Sequence, residues 1–417
     1  MERTDGAPLL LTEAVRPVLA ALVSERGGGI KAWRLDHVDA DPGRSTTATY
    51  RVDVARGDKV SRQTIGLTVR ATGPSSSDRR ARLVNVGADE VACWFYPDDP
   101  DLAGLARAAT PAAMAEVLRE VGVAPLVTAG DLTVDLIGYR PRRRAVLRTR
   151  TRDRSLTVYV KALRPAQYEQ VLIRHRILWS GGVPSPRVLA TTDDRLLLIA
   201  ETPGQPLARA IFNPTPPIMG EQLVDLLDRM PPQVMDLERR PPWSNSVRHY
   251  AGIVEAALPE LGRRLDWLAT RIEQALAEYP LGDEPTHGDF YEAQVFVQGG
   301  RVSGLIDVDT IGPGRRADDL ACLVAHLNCI QRMNPAQTRQ VVRLLAAWRP
   351  VFDARVDPVE LRLRAAAVIV SLATGPYRGQ EPNWERETAK MVAKAEDLVA
   401  SAETLALGRR IPQAVAV

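Results

Sequence analysis

The sequence predicts an α+β protein of more than one domain, with antiparallel strands in its first half and helices in its second. Between residues 47 and 200, short β-branched segments alternate apolar and polar positions and are separated by turn residues. Beyond residue 204 the apolar residues recur at helical spacing instead, as at Leu261, Leu265, Leu268, Ile272 and Leu276. A chain of 417 residues also exceeds what one small core organises, so two or three domains or lobes are expected.

Composition narrows the class. With 45% hydrophobic and 25% charged residues and a net charge of +3, the chain is globular and carries no fold-wide basic surface for nucleic acid. The cysteines Cys93, Cys322 and Cys329 are too few and wrongly spaced for a disulfide frame or a zinc site. The start, Met1-Glu2-Arg3, lacks the basic region of a leader, and no segment reaches the roughly 20 apolar residues of a membrane span. A cytoplasmic protein with no membrane or nucleic-acid partner, a monomer or weak homodimer, is expected. Basic residues are written almost entirely as Arg. Lys161 therefore stands out, because it lies in the apolar strand Thr157–Leu163.

In chain order, residues 8–25 are expected as a helix ended by Gly27-Gly28-Gly29, followed by strands at 47–54, 64–71, 82–86 and 90–96 and a helical stretch to Gly122. Residues 1–128 thus form a small α+β cap without a catalytic cluster. From Leu132 the pattern restarts with strands at 133–138, 145–151 and 155–163, an amphipathic helix at 166–179, two strands at 188–190 and 196–200, and a linker at Glu201-Thr202-Pro203-Gly204. The segment Tyr50-Arg51-Val52 echoes Val146-Leu147-Arg148, which suggests a degenerate half-repeat. Three strands, a helix, two strands and a linker is the order of a kinase small lobe, here at residues 129–203. In such a lobe a strand Lys pairs with a helix Glu and reaches the nucleotide phosphates. Those positions fall on Lys161 and Glu169. The turn Gly138–Arg144 has one glycine and four arginines where protein kinases have a glycine-rich loop; it reads either as a phosphate contact through Arg side chains, Arg144 among them, and backbone N–H groups, or as a solvated basic turn.

Residues 204–417 are expected as a mostly helical lobe, with helices at 218–229, 246–279, 335–348, 358–373 and 385–407, and with prolines at 214, 216 and 217 ahead of the first. Its exception is a hairpin of Val295–Val297 and Val302–Ile306 around Gly299-Gly300. The hairpin gathers Asp289, Gln294 and Asp307 at one end. A carboxylate to orient a hydroxyl, with an amide and a second carboxylate to hold Mg²⁺, is what phosphoryl transfer requires. Asp309, two residues on, is expected on the same strand face and near metal or substrate.

His287-Gly288-Asp289, Gln294, Ile306-Asp307 and Asp319-Leu320-Ala321, with Lys161 upstream, resemble the aminoglycoside phosphotransferase and choline kinase superfamily. The family has Asn at the Gln294 position; Gln there is similar to the maltokinase-like branch, which also carries an N-terminal cap. The cap resembles that of actinobacterial amino-sugar kinases, glucosamine kinase among them. The resemblance implies a bilobal, eukaryotic-protein-kinase-like fold and a kinase that uses ATP and Mg²⁺. It implies that Asp289 takes the acceptor's proton and that Gln294 and Asp307 ligate metal. Lys161 with Glu169 would hold phosphate, and Glu201 and Thr202 would meet the adenine. His287 and Asp319 would brace the catalytic loop. The acceptor is expected to be a small sugar, first an amino sugar such as glucosamine, with maltose or an aminoglycoside as alternatives. Tyr377, Arg378, Gln380, Glu381 and Trp384 are its expected contacts, because rings stack on sugars and polar groups bind hydroxyls. A non-catalytic scaffold is disfavoured, since none of the carboxylates is missing; a metal-dependent hydrolase is disfavoured by the lone histidine near them.

Overall fold

The structure, a computed structural model, describes residues 3–213 and 217–410; Met1, Glu2, Pro214 and Pro216 lie outside the described residues. It is an α+β protein. The chain divides into two compact units, one of Met1–Gln170, Val188–Glu201 and Tyr377–Pro382, the other of Val171–Arg187, Thr202–Pro376 and Asn383–Val417.

The first unit contains two five-stranded antiparallel sheets. Strands β1 (Gly29–Asp41), β2 (Ser45–Arg56), β3 (Lys59–Arg70), β4 (Arg82–Val86) and β5 (Asp89–Phe95) are ordered β1-β2-β3-β5-β4. Strands β6 (Leu132–Arg140), β7 (Arg144–Thr151), β8 (Thr157–Leu163), β9 (Val188–Thr191) and β10 (Leu196–Ala200) repeat that order as β6-β7-β8-β10-β9. The half-repeat is therefore topological. Tyr50-Arg51-Val52 and Val146-Leu147-Arg148 lie on the second strand of each sheet. The copies differ between their third and fourth strands, where the first has a 3₁₀ turn at Asp78–Arg80 and the second a 16-residue helix at Pro165–Ser180. Each sheet has its own core, one around Tyr50, Val52, Ile65 and Leu67, the other around Leu147, Val158, Val160 and Leu198.

β1 escapes a reading by alternation because register shifts at Ile30/Ala32 and Leu35/His37 break its period. As an edge strand it also exposes charges such as Lys31 and Arg34. The expected helix over 8–25 is interrupted: Thr12 accepts the N–H of Ala14 and opens a new turn, and α1 runs only over Arg16–Glu25. The preceding short helix is tied to the sheet by the buried Tyr50, whose hydroxyl donates to the Leu10 carbonyl at 2.6 Å.

The second unit is built on helices α2 (Gly220–Asp228), α3 (Val247–Ala257), α4 (Gly262–Leu276), α5 (Arg316–Cys329), α6 (Pro335–Arg355), α7 (Pro358–Leu372) and α8 (Trp384–Arg410). The segment 246–279 splits in two at Leu258-Pro259, and α6 runs past Pro350, where the sequence reading ends it. The apolar α7 is buried along most of its length and packs against α5 and α8. Among the described residues no helix is long and apolar enough to cross a membrane. Tyr50→Phe keeps the ring but strands the buried Leu10 carbonyl. It should lower stability by about 1 kcal/mol, read as an earlier urea midpoint; an unchanged midpoint would contradict the tether.

Candidate functional site

The site is built on two hairpins of the second unit. Strands β11 (Val295–Gln298) and β12 (Arg301–Leu305) are joined by Gly299 and Gly300, both at positive φ (57° and 74°), the conformation a tight two-residue turn requires. Glu284–Thr286 pairs with Gly312–Gly314, which closes the segment from 287 to 311 at its base. The loop His287–Gln294 between these pairings is held by one carboxylate. Asp319, fully buried on the first turns of α5, accepts the N–H of His287 at 2.9 Å and that of Gly288 at 2.8 Å. Arg316, one turn earlier and also buried, ion-pairs with Asp319 at 3.2 Å and donates to the Leu227 carbonyl at 3.0 Å. Burial pushes the Asp319 carboxyl up, while Arg316, His287 and the loop N–H groups pull it back. The loop's carbonyls are bound as well: Thr310 Oγ1 donates to His287 at 2.9 Å and Trp243 Nε1 to Gly288 at 3.0 Å. Gly288 stands at φ 81°, and a Cβ there would lie 2.7 Å from the Thr310 carbonyl oxygen.

The hairpin brings Gln294 and Asp307 together, with the Gln294 amide nitrogen 3.4 Å from Asp307 Oδ2. The Ile306 N–H donates to the Gln294 carbonyl at 2.8 Å and locks the backbones that carry them. Asp307 sits in the left-handed region (φ 56°, ψ 52°), unusual for a residue with a Cβ. That turn ends the strand. Asp309 therefore lies on a 3₁₀ turn at Val308–Thr310, and the expectation that it shares a strand face with Asp307 is corrected. Oxygen donors from an amide and a carboxylate fit a hard divalent cation such as Mg²⁺. Asp289 is flanked by Cys322, whose Sγ is 3.9 Å from Oδ1, and by His326, on which Tyr291 stacks at 3.9 Å. Burial keeps the Cys322 thiol protonated, and it lowers His326 to about 4, so that ring is neutral at physiological pH. These two groups add no charge beside Asp289.

Among the residues expected to bind nucleotide, Lys161 is buried in the interior of its sheet, paired in register with Val146 on one side and Leu197 on the other. It is no edge lysine. Glu169 is exposed. Tyr168, Val171, Leu172 and His175 take the buried face of that helix and turn Glu169 outward. Glu201 is exposed, whereas Thr202 is buried, and a Cβ on Gly304 would fall 2.0 Å from its methyl. Arg144 opens β7 and is half-buried. In the turn before it Arg142 is buried, only 5% exposed, whereas Arg143 faces solvent.

The expected acceptor loop is divided between the units. Tyr377–Pro382 belongs to the first, where Arg378 pairs with Asp39 at 3.5 Å and the Gln380 amide donates to the Tyr377 carbonyl at 2.7 Å. Glu381 is half-buried in the same unit, and Trp384 opens α8 against the helical core of the second.

Sequence reasoning missed the arginines that organise the site. Arg174 is buried and donates to the Ile311 carbonyl at 2.8 Å, just past Asp307 and Asp309. Arg364 is buried between Glu360 and Asp318 at 2.7 and 2.8 Å. An arginine-rich composition hides such residues, since nothing local separates them from surface arginines. Also missed is a cavity of about 880 Å³ behind the loop, lined by Trp243, Tyr250, Tyr279, Gly288, Thr310 and Asp318. Asp289 does not line it.

The sequence profile described as the phosphotransferase enzyme family matches residues 131–363. No curated protein sequence matches the chain significantly. Among solved structures it is similar to an ethanolamine kinase from Plasmodium vivax (12% identity, 70% of this chain and 90% of that one, TM-score 0.45). It is also similar to a choline kinase from Streptococcus pneumoniae (12%, 69% and 99%, TM-score 0.47) and to a macrolide 2'-phosphotransferase from Brachybacterium faecium (18%, 67% and 97%, TM-score 0.39).

Replacing Asp319 by Asn removes the buried one of Arg316's two carboxylate partners, leaving Asp228, and removes one of two N–H acceptors. Hydrogen exchange at His287 and Gly288 should accelerate at least tenfold, with a stability loss of about 3 kcal/mol. Unchanged protection of both amides would contradict the bracing role.

Proposed function

The chain belongs to the phosphotransferase enzyme family, and from that premise we propose that it is a kinase transferring the γ-phosphoryl group of ATP to a hydroxyl of a small sugar, with glucosamine first among acceptors. The observation that carries the reading is the braced loop with Asp289 at its tip and Gln294 and Asp307 beside each other on the following hairpin. In this reading Asp289 orients the acceptor hydroxyl and accepts its proton as the bond to phosphorus forms. The neutral Cys322 and His326 leave its carboxylate the local negative charge. Gln294 and Asp307 would hold Mg²⁺, which supplies charge neutralisation to the phosphates when bound. Asp307 is pre-set by the strained turn that ends β12.

Lys161, in the interior of its strand, is assigned to the nucleotide's phosphates, and the linker at Glu201 and Thr202 to the adenine. Glu169 is left out of that role because of its outward position. For the acceptor, Tyr377 and Trp384 offer rings and Glu381 and Asp309 offer carboxylates suited to an ammonium group. Arg378 and Gln380 contribute mainly by shaping the loop, given their contacts to Asp39 and Tyr377.

A coupled assay of ADP release across glucosamine, glucose, N-acetylglucosamine, maltose and aminoglycosides tests the acceptor. Turnover with glucosamine is expected; turnover confined to maltose or an aminoglycoside would overturn that choice. Asp289→Asn should lower kcat by about 10²–10⁴ with little change in the KM for ATP. Full activity in that variant would overturn the mechanism. Chelation of divalent cations should abolish turnover and added Mg²⁺ restore it, whereas turnover that survives EDTA would remove Gln294 and Asp307 from their role.

A further inference from the structure

The turn between β6 and β7 occupies the place of the phosphate-covering loop in a kinase small lobe, yet it lacks that loop's glycines. Arg140 pairs with Arg144, leaving Pro141-Arg142-Arg143 as the turn, with Arg142 at φ 62°. An L-residue there costs about 1 kcal/mol over glycine, so something must hold it.

The holder is the first sheet's connections. The Arg142 N–H donates to Asp99 Oδ2 at 2.7 Å, Nε to Asp101 at 2.9 Å and Nη2 to Ser77 Oγ at 2.8 Å, and Nη1 ion-pairs with Asp78. Two of these carboxylates are themselves fixed. Asp99 accepts the Tyr139 hydroxyl at 2.7 Å, and Tyr139 in turn accepts Trp94 Nε1 at 2.9 Å. Asp78 accepts Arg70 Nε at 2.8 Å and the Ser75 N–H at 2.6 Å. Asp78, Asp99 and Arg142 are all buried. A buried network this completely bonded specifies one conformation and resists partial opening. The clamp spends one arginine of the turn and leaves its neighbours near one another. Arg143 and Arg378 both reach Asp39, at 3.0 and 3.5 Å. Arg140 is lowered to about 10 by burial and by the nearby guanidiniums of Arg378, Arg143 and Arg144. Such crowding of like charge favours an anion.

We propose that Arg142 is a positioning residue for the nucleotide: the N-terminal sheet's Asp78, Asp99 and Asp101 clamp it, and the clamp aims the Arg140–Arg144 turn at the triphosphate. The N-terminal α+β region thereby acts as a brace that replaces a flexible glycine loop with a rigid arginine one. This inference rests on the kinase reading above. It assigns Arg142 no contact with nucleotide; its effect passes through the turn's backbone to Arg140 and Arg143.

The test uses Arg142→Met, Asp101→Asn and, as a control on the same sheet, Arg148→Ala, whose partner is Asp135. ADP affinity is measured by calorimetry, and initial rates are measured over ATP and acceptor. The clamp predicts ADP binding and ATP KM weakened about tenfold in Arg142→Met and severalfold in Asp101→Asn, with kcat at saturating ATP within about twofold and acceptor KM unchanged. Arg148→Ala should match wild type. A role confined to stability would lower kcat through the folded fraction at constant ATP KM, and that result overturns the proposal. So does unchanged ADP affinity in both variants. If Arg142→Met does not fold, Asp101→Asn carries the test alone, since Asp101 is half-buried and contributes a single arm. A wild type that turns over ATP with an unaffected Asp101→Asn rejects only the clamp; a wild type that neither binds ADP nor turns over rejects the kinase reading and the clamp together.

Discussion

The N–H groups of His287 and Gly288 both end on the buried carboxylate of Asp319, and the geometry of the hairpin site depends on that contact. The two N–H groups belong to consecutive residues, so two bonds to one carboxylate fix both position and tilt of the peptide that leads into Asp289. The carboxylate is fully buried and needs its own support. Arg316 supplies it, and Arg316 is in turn tied to Leu227 and to Asp228 at 3.3 Å on another helix. Breaking such a buried pair costs about 3–5 kcal/mol, more than a single backbone hydrogen bond contributes. The loop is therefore held as firmly as the helices behind it, which suits a group that must meet its substrate in one orientation.

The same device recurs in the first unit with opposite polarity. There a buried arginine receives three carboxylates, and it fixes a turn that sequence rules would give to glycine. Both cases use a charged side chain to secure backbone that is irregular by necessity. Both also fit a composition that writes nearly every basic residue as Arg, whose planar fork bonds several partners in fixed directions where a lysine ammonium would not.

Much of this was legible in the sequence. The hairpin around Gly299-Gly300, the nearness of Gln294 and Asp307 and the repeated strand pattern follow from local spacing, whereas the expected roles of His287 and Asp319 came from the family resemblance. What was lost has physical causes. β1 was hidden by two bulges that break the period of two. Asp309 was misplaced because one residue at positive φ ends a strand without any mark in composition. Glu169 faces outward because the buried face of its helix is set by Tyr168, Val171 and Leu172, a distribution that the identity of residue 169 alone does not reveal. The clamp on Arg142 joins residues 41 to 64 positions apart, so no local pattern could have announced it.

Central to the proposed function is a divalent-cation site, formed by Gln294 and Asp307, that works with nucleotide. Electron paramagnetic resonance titration of Mn²⁺, as a stand-in for Mg²⁺, with ADP present tests it most directly. Wild type should bind the ion in an oxygen-only environment, with affinity reduced at least tenfold in Asp307→Asn. Equal Mn²⁺ affinity in wild type and Asp307→Asn would contradict the claim.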